Sequence, residues 1–86
     1  MVSKKVVVSN PTGLHARPAS QMVQFCKKFP EKIILKGKGK ETDPKSIISL
    51  LSAGLTKGTE IEVEVDGENE ATVCDEIVNF ISNLSE

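Results

Sequence analysis

Aromatic side chains are scarce in this 86-residue chain, which has no tryptophan, no tyrosine and three phenylalanines. So few rings cannot build the stacking platforms that single-stranded nucleic acid prefers. A formal net charge of −1 supplies no general basic field for a phosphate backbone. Two cysteines, Cys26 and Cys74, are too few for a disulfide scaffold, and with a single histidine they cannot complete a four-ligand zinc site. No stretch approaches the ~18 apolar residues that a membrane span needs. Met1-Val2-Ser3-Lys4-Lys5 runs directly into Val6-Val7-Val8 with no cleavage site between them. These absences lead us to expect a cytoplasmic protein with no metal, no cofactor, no direct nucleic-acid partner and no membrane insertion.

What is present points to one compact domain spanning residues 1–86, since 38% of the residues are apolar and 27% charged, and no linker divides the chain. Val2 to Ser9 is rich in β-branched residues and reads as a strand closed by the turn formers Asn10-Pro11-Thr12-Gly13. From Ala16 to Phe29 the apolar positions Ala19, Met22, Val23, Cys26 and Phe29 step by three and four, which predicts an amphipathic helix. Pro18 fits its first turn, where N–H groups have no intrahelical acceptor. Lys32–Lys36 and Lys40–Thr42 form a hairpin around Gly37-Lys38-Gly39. Ser46 then caps a short helix over Ile47–Ala53, with Gly54 as its left-handed stop. Thr59–Asp66 alternates without exception, Ile61, Val63 and Val65 against Glu60, Glu62, Glu64 and Asp66. Glu70–Leu84 carries Cys74, Ile77, Val78, Ile81 and Leu84 on one stripe. The order β-α-β-β-α-β-α, with one wet sheet face, predicts an α+β fold: a two-layer open-faced sandwich whose helices cover the other face.

His15 stands where a glycine-containing loop meets the first helix, so the free N–H groups and positive dipole end of that helix lie beside it in the predicted layout. That setting welcomes an anion and disfavours imidazolium, leaving the ring nucleophilic as a phosphoryl acceptor must be. Arg17, in the same turn, offers a planar donor fork for phosphoryl oxygens. Phosphoryl transfer depends mainly on alignment and charge stabilisation, so a small domain without a general acid or base can still accept and donate the group. The bland reading is a surface histidine capping a helix beside a solvated arginine. Composition alone does not choose.

The run Gly13-Leu14-His15-Ala16-Arg17-Pro18-Ala19 resembles the active-site signature of the HPr family, the histidine phosphocarriers of the phosphoenolpyruvate-dependent sugar phosphotransferase system, and the likeness extends over the whole chain. The resemblance implies a four-stranded antiparallel sheet ordered 1-4-2-3 under three helices. It further implies that Nδ1 of His15 accepts a phosphoryl group from Enzyme I and hands it to the IIA domains of sugar permeases. Arg17 would be the charge partner, with Thr12 and the N–H groups of Ala16 and Arg17 assisting. Lys45-Ser46-Ile47 resembles the regulatory serine segment of those members modified by the HPr kinase/phosphorylase. In them the seryl-phosphorylated form accepts phosphate poorly and acts with the catabolite control transcription factor. A phosphate on Ser46 would meet a helix N-terminus and gain of order 1 kcal/mol there. Asp43-Pro44 and Ser49 depart from the usual pattern around that serine, and Gln24 and Ser49 are uncharged where relatives often carry lysine.

Ile47, Ile48 and Leu51 fall at i, i+1 and i+4, so they cannot all pack inward and predict an apolar docking patch, with at least one of them expected in the core. The family implies basic residues around that patch, for which Arg17, Lys27, Lys28 and Lys45 are the candidates, on a monomer. Gly37-Lys38-Gly39-Lys40 completes no nucleotide-binding motif and reads as a turn. Cys26 and Cys74 read as small core residues, and the glutamates of the last strand as a solvated face. The alternative is a regulatory binding module of the same fold that works through Ser46 without carrying phosphate; His15 argues against it.

Overall fold

A computed structural model describes residues 1–11, 13–14 and 16–84 of the chain. In chain order the elements are β1 (Val2–Val7), α1 (Ala16–Lys27), β2 (Lys32–Gly37), β3 (Lys40–Thr42), α2 (Ile47–Ala53), β4 (Glu60–Asp66) and α3 (Glu70–Ser82). The four strands form one antiparallel sheet in the order β1-β4-β2-β3, so β1 and β2 run parallel on either side of β4. The α+β sandwich expected above is thus the observed one.

Register decides which side chains enter the core, because residues directly opposite one another share a face. Val2, Lys4 and Val6 of β1 oppose Val65, Val63 and Ile61 of β4, which oppose in turn Ile33 and Leu35 of β2. Ile61, Val63, Val65 and Leu35 have no accessible surface. They pack with Met22, Cys26, Leu50, Cys74, Ile77 and Ile81 from the helices. Lys4 shares this inner face at the sheet edge and escapes burial by pairing its ammonium with the Asp75 carboxylate of α3, which holds the lysine protonated above its usual range.

The opposite face is charged yet balanced. Glu60, Glu62 and Glu64 read in sequence as a row of like charges, but Lys36 of β2 lies 2.9 Å from Glu64 and 3.7 Å from Glu41, and Lys5 of β1 lies 3.9 Å from Glu60. Cross-strand lysines therefore dilute the repulsion that the β4 sequence alone suggests.

Strand ends shift by one or two residues, β1 closing at Val7 and not Ser9, and two helix ends also differ from expectation. The apolar stripe of α1 continues to Phe29, but the helix stops at Lys27, and Phe29 donates its N–H to the Cys26 carbonyl at 3.1 Å in a tighter turn. Phe29 precedes Pro30, whose ring disfavours helical backbone in the residue before it. In α3 the helix ends at Ser82, short of Leu84. Ile47, Ile48 and Leu51 also differ: 37%, 74% and 44% accessible, none of the three joins the core, where α2 instead inserts Leu50 and Ala53. One face of a seven-residue helix is filled by that i, i+3 pair, and the other apolar residues remain outside.

Cys26 and Cys74 are both inside, and burial pushes each thiol up, that of Cys26 to about 12. Neither is expected to react with iodoacetamide in the native state at pH 8, and both are expected to react in guanidinium chloride. The sign of the pH dependence follows from the raised value. The protonated buried Cys26 thiol contributes stability that is complete below its unfolded value of 9.0 and is lost as pH rises toward 12. Unfolding free energies from urea titrations between those limits are expected to decline less in Cys26→Ala, by roughly 3–4 kcal/mol over the whole interval at most.

Candidate functional site

The segment leading into α1 is a strap laid across the loop that follows α2. Val8 donates its N–H to the Thr59 carbonyl at 2.9 Å and accepts one from Gly58 at 2.7 Å, so β1 stays attached to that loop past its last ladder pair. Asn10 then closes a turn. Its carbonyl receives the Gly13 N–H at 3.1 Å, and its buried side-chain amide donates to the Gly13 carbonyl at 2.6 Å. An asparagine that bonds its own turn is the physical content of the Asn-Pro-x-Gly signal.

Gly13 adopts φ +65°, and a Cβ there would lie 2.6 Å from the Leu55 carbonyl oxygen and 2.7 Å from Thr56 Cα. Only glycine combines that dihedral with so close a backbone approach. Leu14, buried, donates its N–H to the Leu55 carbonyl at 2.8 Å. The chain is therefore pinned on one side of position 15 by Gly13 and Leu14, and on the other α1 begins at Ala16. His15 itself and Thr12 lie outside the described residues.

Ala16 and Arg17 are exposed in the first turn of α1, which holds no carboxylate. Its amide groups have no acceptor inside the helix, and no acidic side chain of that turn compensates the positive end of the dipole. Glu70 fills that role in α3. Pro18, the third helical residue, is buried and costs the helix no bond.

The loop under the strap starts at Gly54, the left-handed cap of α2 at φ +64°. Lys38, at the tip of the β2–β3 hairpin, donates from Nζ to the Gly54 carbonyl at 2.7 Å and lies 3.4 Å from Thr56 Oγ1. Asn10, Lys38, Leu55 and Thr56 were invisible to sequence reasoning as parts of the site. Asn10 had a local turn signal, whereas a lysine reaching a carbonyl 16 residues away has none.

At the other end of α2, Ser46 is the N-cap, with φ −120° and ψ 118°, and its Oγ accepts the Ser49 N–H at 3.3 Å. Two of the residues that depart from the family pattern, Ser49 and Asp43, have local tasks here. Ser49 Oγ accepts the Asp43 N–H at 3.0 Å, and Asp43 Oδ1 accepts the Lys45 N–H at 2.9 Å. The Lys45 ammonium donates to the carbonyls of Phe29 at 2.6 Å and Glu31 at 2.9 Å, clasping the turn after α1. Lys28 lies over the Phe25 ring, 4.4 Å from its centroid, while Lys27 is exposed in the last turn of α1. Ile47, Ile48 and Leu51 form an apolar surface on α2, whose C-terminus leads directly into the loop beneath the strap. Among the described residues no group of three or more His, Cys, Asp or Glu side chains is placed to hold a metal ion, and no helix is long and apolar enough to cross a membrane.

Comparison with known proteins places this geometry. Residues 2–83 match the family described as "PTS HPr component phosphorylation site". The phosphocarrier protein HPr of Haemophilus influenzae is 37% identical over 84 residues, covering 98% of this chain and 99% of that one. The crystal structure of HPr from Thermoanaerobacter tengcongensis superimposes with a TM-score of 0.89 at 32% identity, over 95% of this chain and 92% of that one. Crh, the Bacillus subtilis catabolite-repression protein whose crystal structure is described as a swapped dimer, gives a TM-score of 0.76 at 34% identity, covering 100% of this chain and 99% of that one. Matched by the family over residues 2–83 and by an HPr structure over 95% of its length, this chain belongs to the HPr family of phosphotransferase-system phosphocarriers.

Proposed function

We propose that this chain is a cytoplasmic, monomeric, single-domain carrier that accepts a phosphoryl group on His15 from phosphorylated Enzyme I and passes it to IIA domains of sugar permeases. The observation that carries the reading is the pinned strap. Gly13 and Leu14 are fixed to Leu55 and Thr56, and the next described residues open a helix whose first turn holds Arg17 and no acid. In each transfer the N–P bond of the donor phosphohistidine breaks as a new one forms to the acceptor imidazole, at Nδ1 where the acceptor is His15, and the electron pair returns to the donor ring. Nothing is oxidised, and the donor and acceptor bonds are alike, so the step runs in either direction. What the protein supplies is alignment and positive potential for the equatorial oxygens, from Arg17 and the first-turn amides of α1. The uncovered side chains of Ile47, Ile48 and Leu51 give both partners an apolar landing surface on α2, the helix that leads into the loop beneath the strap, with Lys27 among the cations available to an acidic partner. Incubation with phosphoenolpyruvate and Enzyme I is expected to add one acid-labile phosphate; its absence overturns the reading.

Ser46 is proposed as a second, regulatory phosphorylation site, read by an HPr kinase/phosphorylase and, once modified, by the catabolite control transcription factor. Its Oγ already sits at the start of α2 and bonds the Ser49 amide, so an added phosphate finds helix N–H groups without unfolding the element. ATP and that kinase are expected to leave an acid-stable phosphate that Ser46→Ala lacks. The same substitution removes the acceptor for the Ser49 N–H and is expected to lower stability by about 0.5–2 kcal/mol in urea unfolding. A seryl phosphate that persists in Ser46→Ala would move the site elsewhere.

A further inference from the structure

We propose that Lys38 is a positioning residue for phosphoryl transfer at His15, acting as a clamp between the β2–β3 hairpin and the loop that holds the strap. The inference rests on the carrier reading and adds a residue to it.

Lys38 has φ +52°, alone among the described non-glycine residues in the left-handed region. A long side chain adopts that backbone at a cost, and such conformations persist where the surroundings over-determine them. Here the hold is visible. The ammonium donates to the Gly54 carbonyl at 2.7 Å and reaches Thr56 Oγ1 at 3.4 Å. Gly54 closes α2, so its carbonyl belongs to the negative end of that helix, where a cation is favoured.

The next carbonyl along, that of Leu55, receives the Leu14 N–H at 2.8 Å, and Thr56 is the residue on which Gly13 rests. Lys38 thus grips both neighbours of the carbonyl that fixes Leu14. Gly37 adds to the grip, since a Cβ on it would stand 3.2 Å from Leu55 Cδ2. The path from the hairpin tip to the backbone beside His15 is one ammonium bond, one peptide unit and one amide bond. Transfer between two imidazoles tolerates little misplacement, so loosening that path costs rate even though Lys38 does not touch the phosphoryl group.

Three variants test the clamp. Lys38→Gly relieves the left-handed strain and so retains or gains thermal stability, but removes the ammonium; Lys38→Met keeps the bulk; Lys38→Arg restores a donor. In Lys38→Gly and Lys38→Met the single-turnover rate at saturating phosphorylated Enzyme I is expected to fall about five- to tenfold with KM within about twofold, and Leu14 amide exchange to accelerate about tenfold. Lys38→Arg is expected to recover most of both. A role confined to stability would leave Lys38→Gly as active as the wild type, which overturns the proposal. A loss carried by KM and erased by salt also overturns it, because Lys38 would then meet the partner directly. Unchanged Leu14 exchange with an active wild type defeats the clamp alone. A wild type that takes no phosphate defeats the carrier reading, and the positioning role with it.

Discussion

A chain carrying His15→Ala is expected to take up no histidyl phosphate from Enzyme I, a loss of roughly 10⁴-fold or more, because no neighbouring side chain can replace the attacking nitrogen. The sequence contains one histidine, so no second imidazole is available to inherit the group. The fold is expected to survive, since the bonds that fix the strap belong to Val8, Asn10, Gly13 and Leu14 and remain in place. Retained thermal midpoint together with lost labelling separates chemistry from folding. The variant also tests the alternative of a purely regulatory module. With Ser46 intact, His15→Ala is expected to keep kinase-dependent seryl phosphorylation while losing transfer to IIA domains. Acid-labile phosphate persisting in His15→Ala would put the acceptor on another residue and remove the reason for reading the strap as an active-site support.

Much of this architecture is legible in the chain because it is local. The alternation of Ile61, Val63 and Val65 with glutamates is a property of seven consecutive residues, and β4 covers Glu60–Asp66. Ser46 and Gly54 bracket α2 as cap and stop, and the structure places them at those positions. The motif from Gly13 to Ala19 is likewise contiguous, which is why the resemblance points to one segment of the chain. What resists reading is everything that depends on distant partners. The end of α1 follows Pro30 and not the apolar stripe that runs on to Phe29. The choice of Leu50 and Ala53 over Ile47, Ile48 and Leu51 is made by the layer against which α2 packs, and a helix with apolar residues at i, i+1 and i+4 does not reveal it. The balance of Glu60, Glu62 and Glu64 by Lys5 and Lys36 depends on strand order, which the resemblance supplied and the strand residues by themselves did not. The shelf beneath the strap is the strongest case. Leu55 and Thr56 contribute backbone atoms, which carry no side-chain signature, so a scan for chemical groups passes over the residues that hold the site in place.

That shelf makes Gly13→Ala the substitution with the largest expected effect on stability. Gly13 and Gly54 have almost the same dihedral, φ +65° and φ +64°, so a methyl at either position pays a similar left-handed penalty of about 1–2 kcal/mol. Their surroundings differ. A Cβ on Gly54 meets no atom within 4 Å, whereas one on Gly13 meets the Leu55 carbonyl oxygen at 2.6 Å and Thr56 Cα at 2.7 Å. Those are backbone atoms, which cannot swing aside as the tip of a side chain can. Either the strap lifts and the Leu14 N–H leaves the Leu55 carbonyl, or the loop moves and pulls against Gly58, whose N–H is held by Val8. The added cost over Gly54→Ala is expected to be about 2 kcal/mol or more, in the range of other steric insertions into packed structure. For a domain of this size a total near 3–4 kcal/mol lowers the thermal midpoint by roughly 12–25 °C. Transfer from Enzyme I, measured well below that midpoint, is expected to fall as well, because the displaced backbone adjoins His15. Gly54→Ala is therefore the control for strain without collision. Equal midpoints for Gly13→Ala and Gly54→Ala would mean that the close approach to Leu55 and Thr56 places no constraint on the strap.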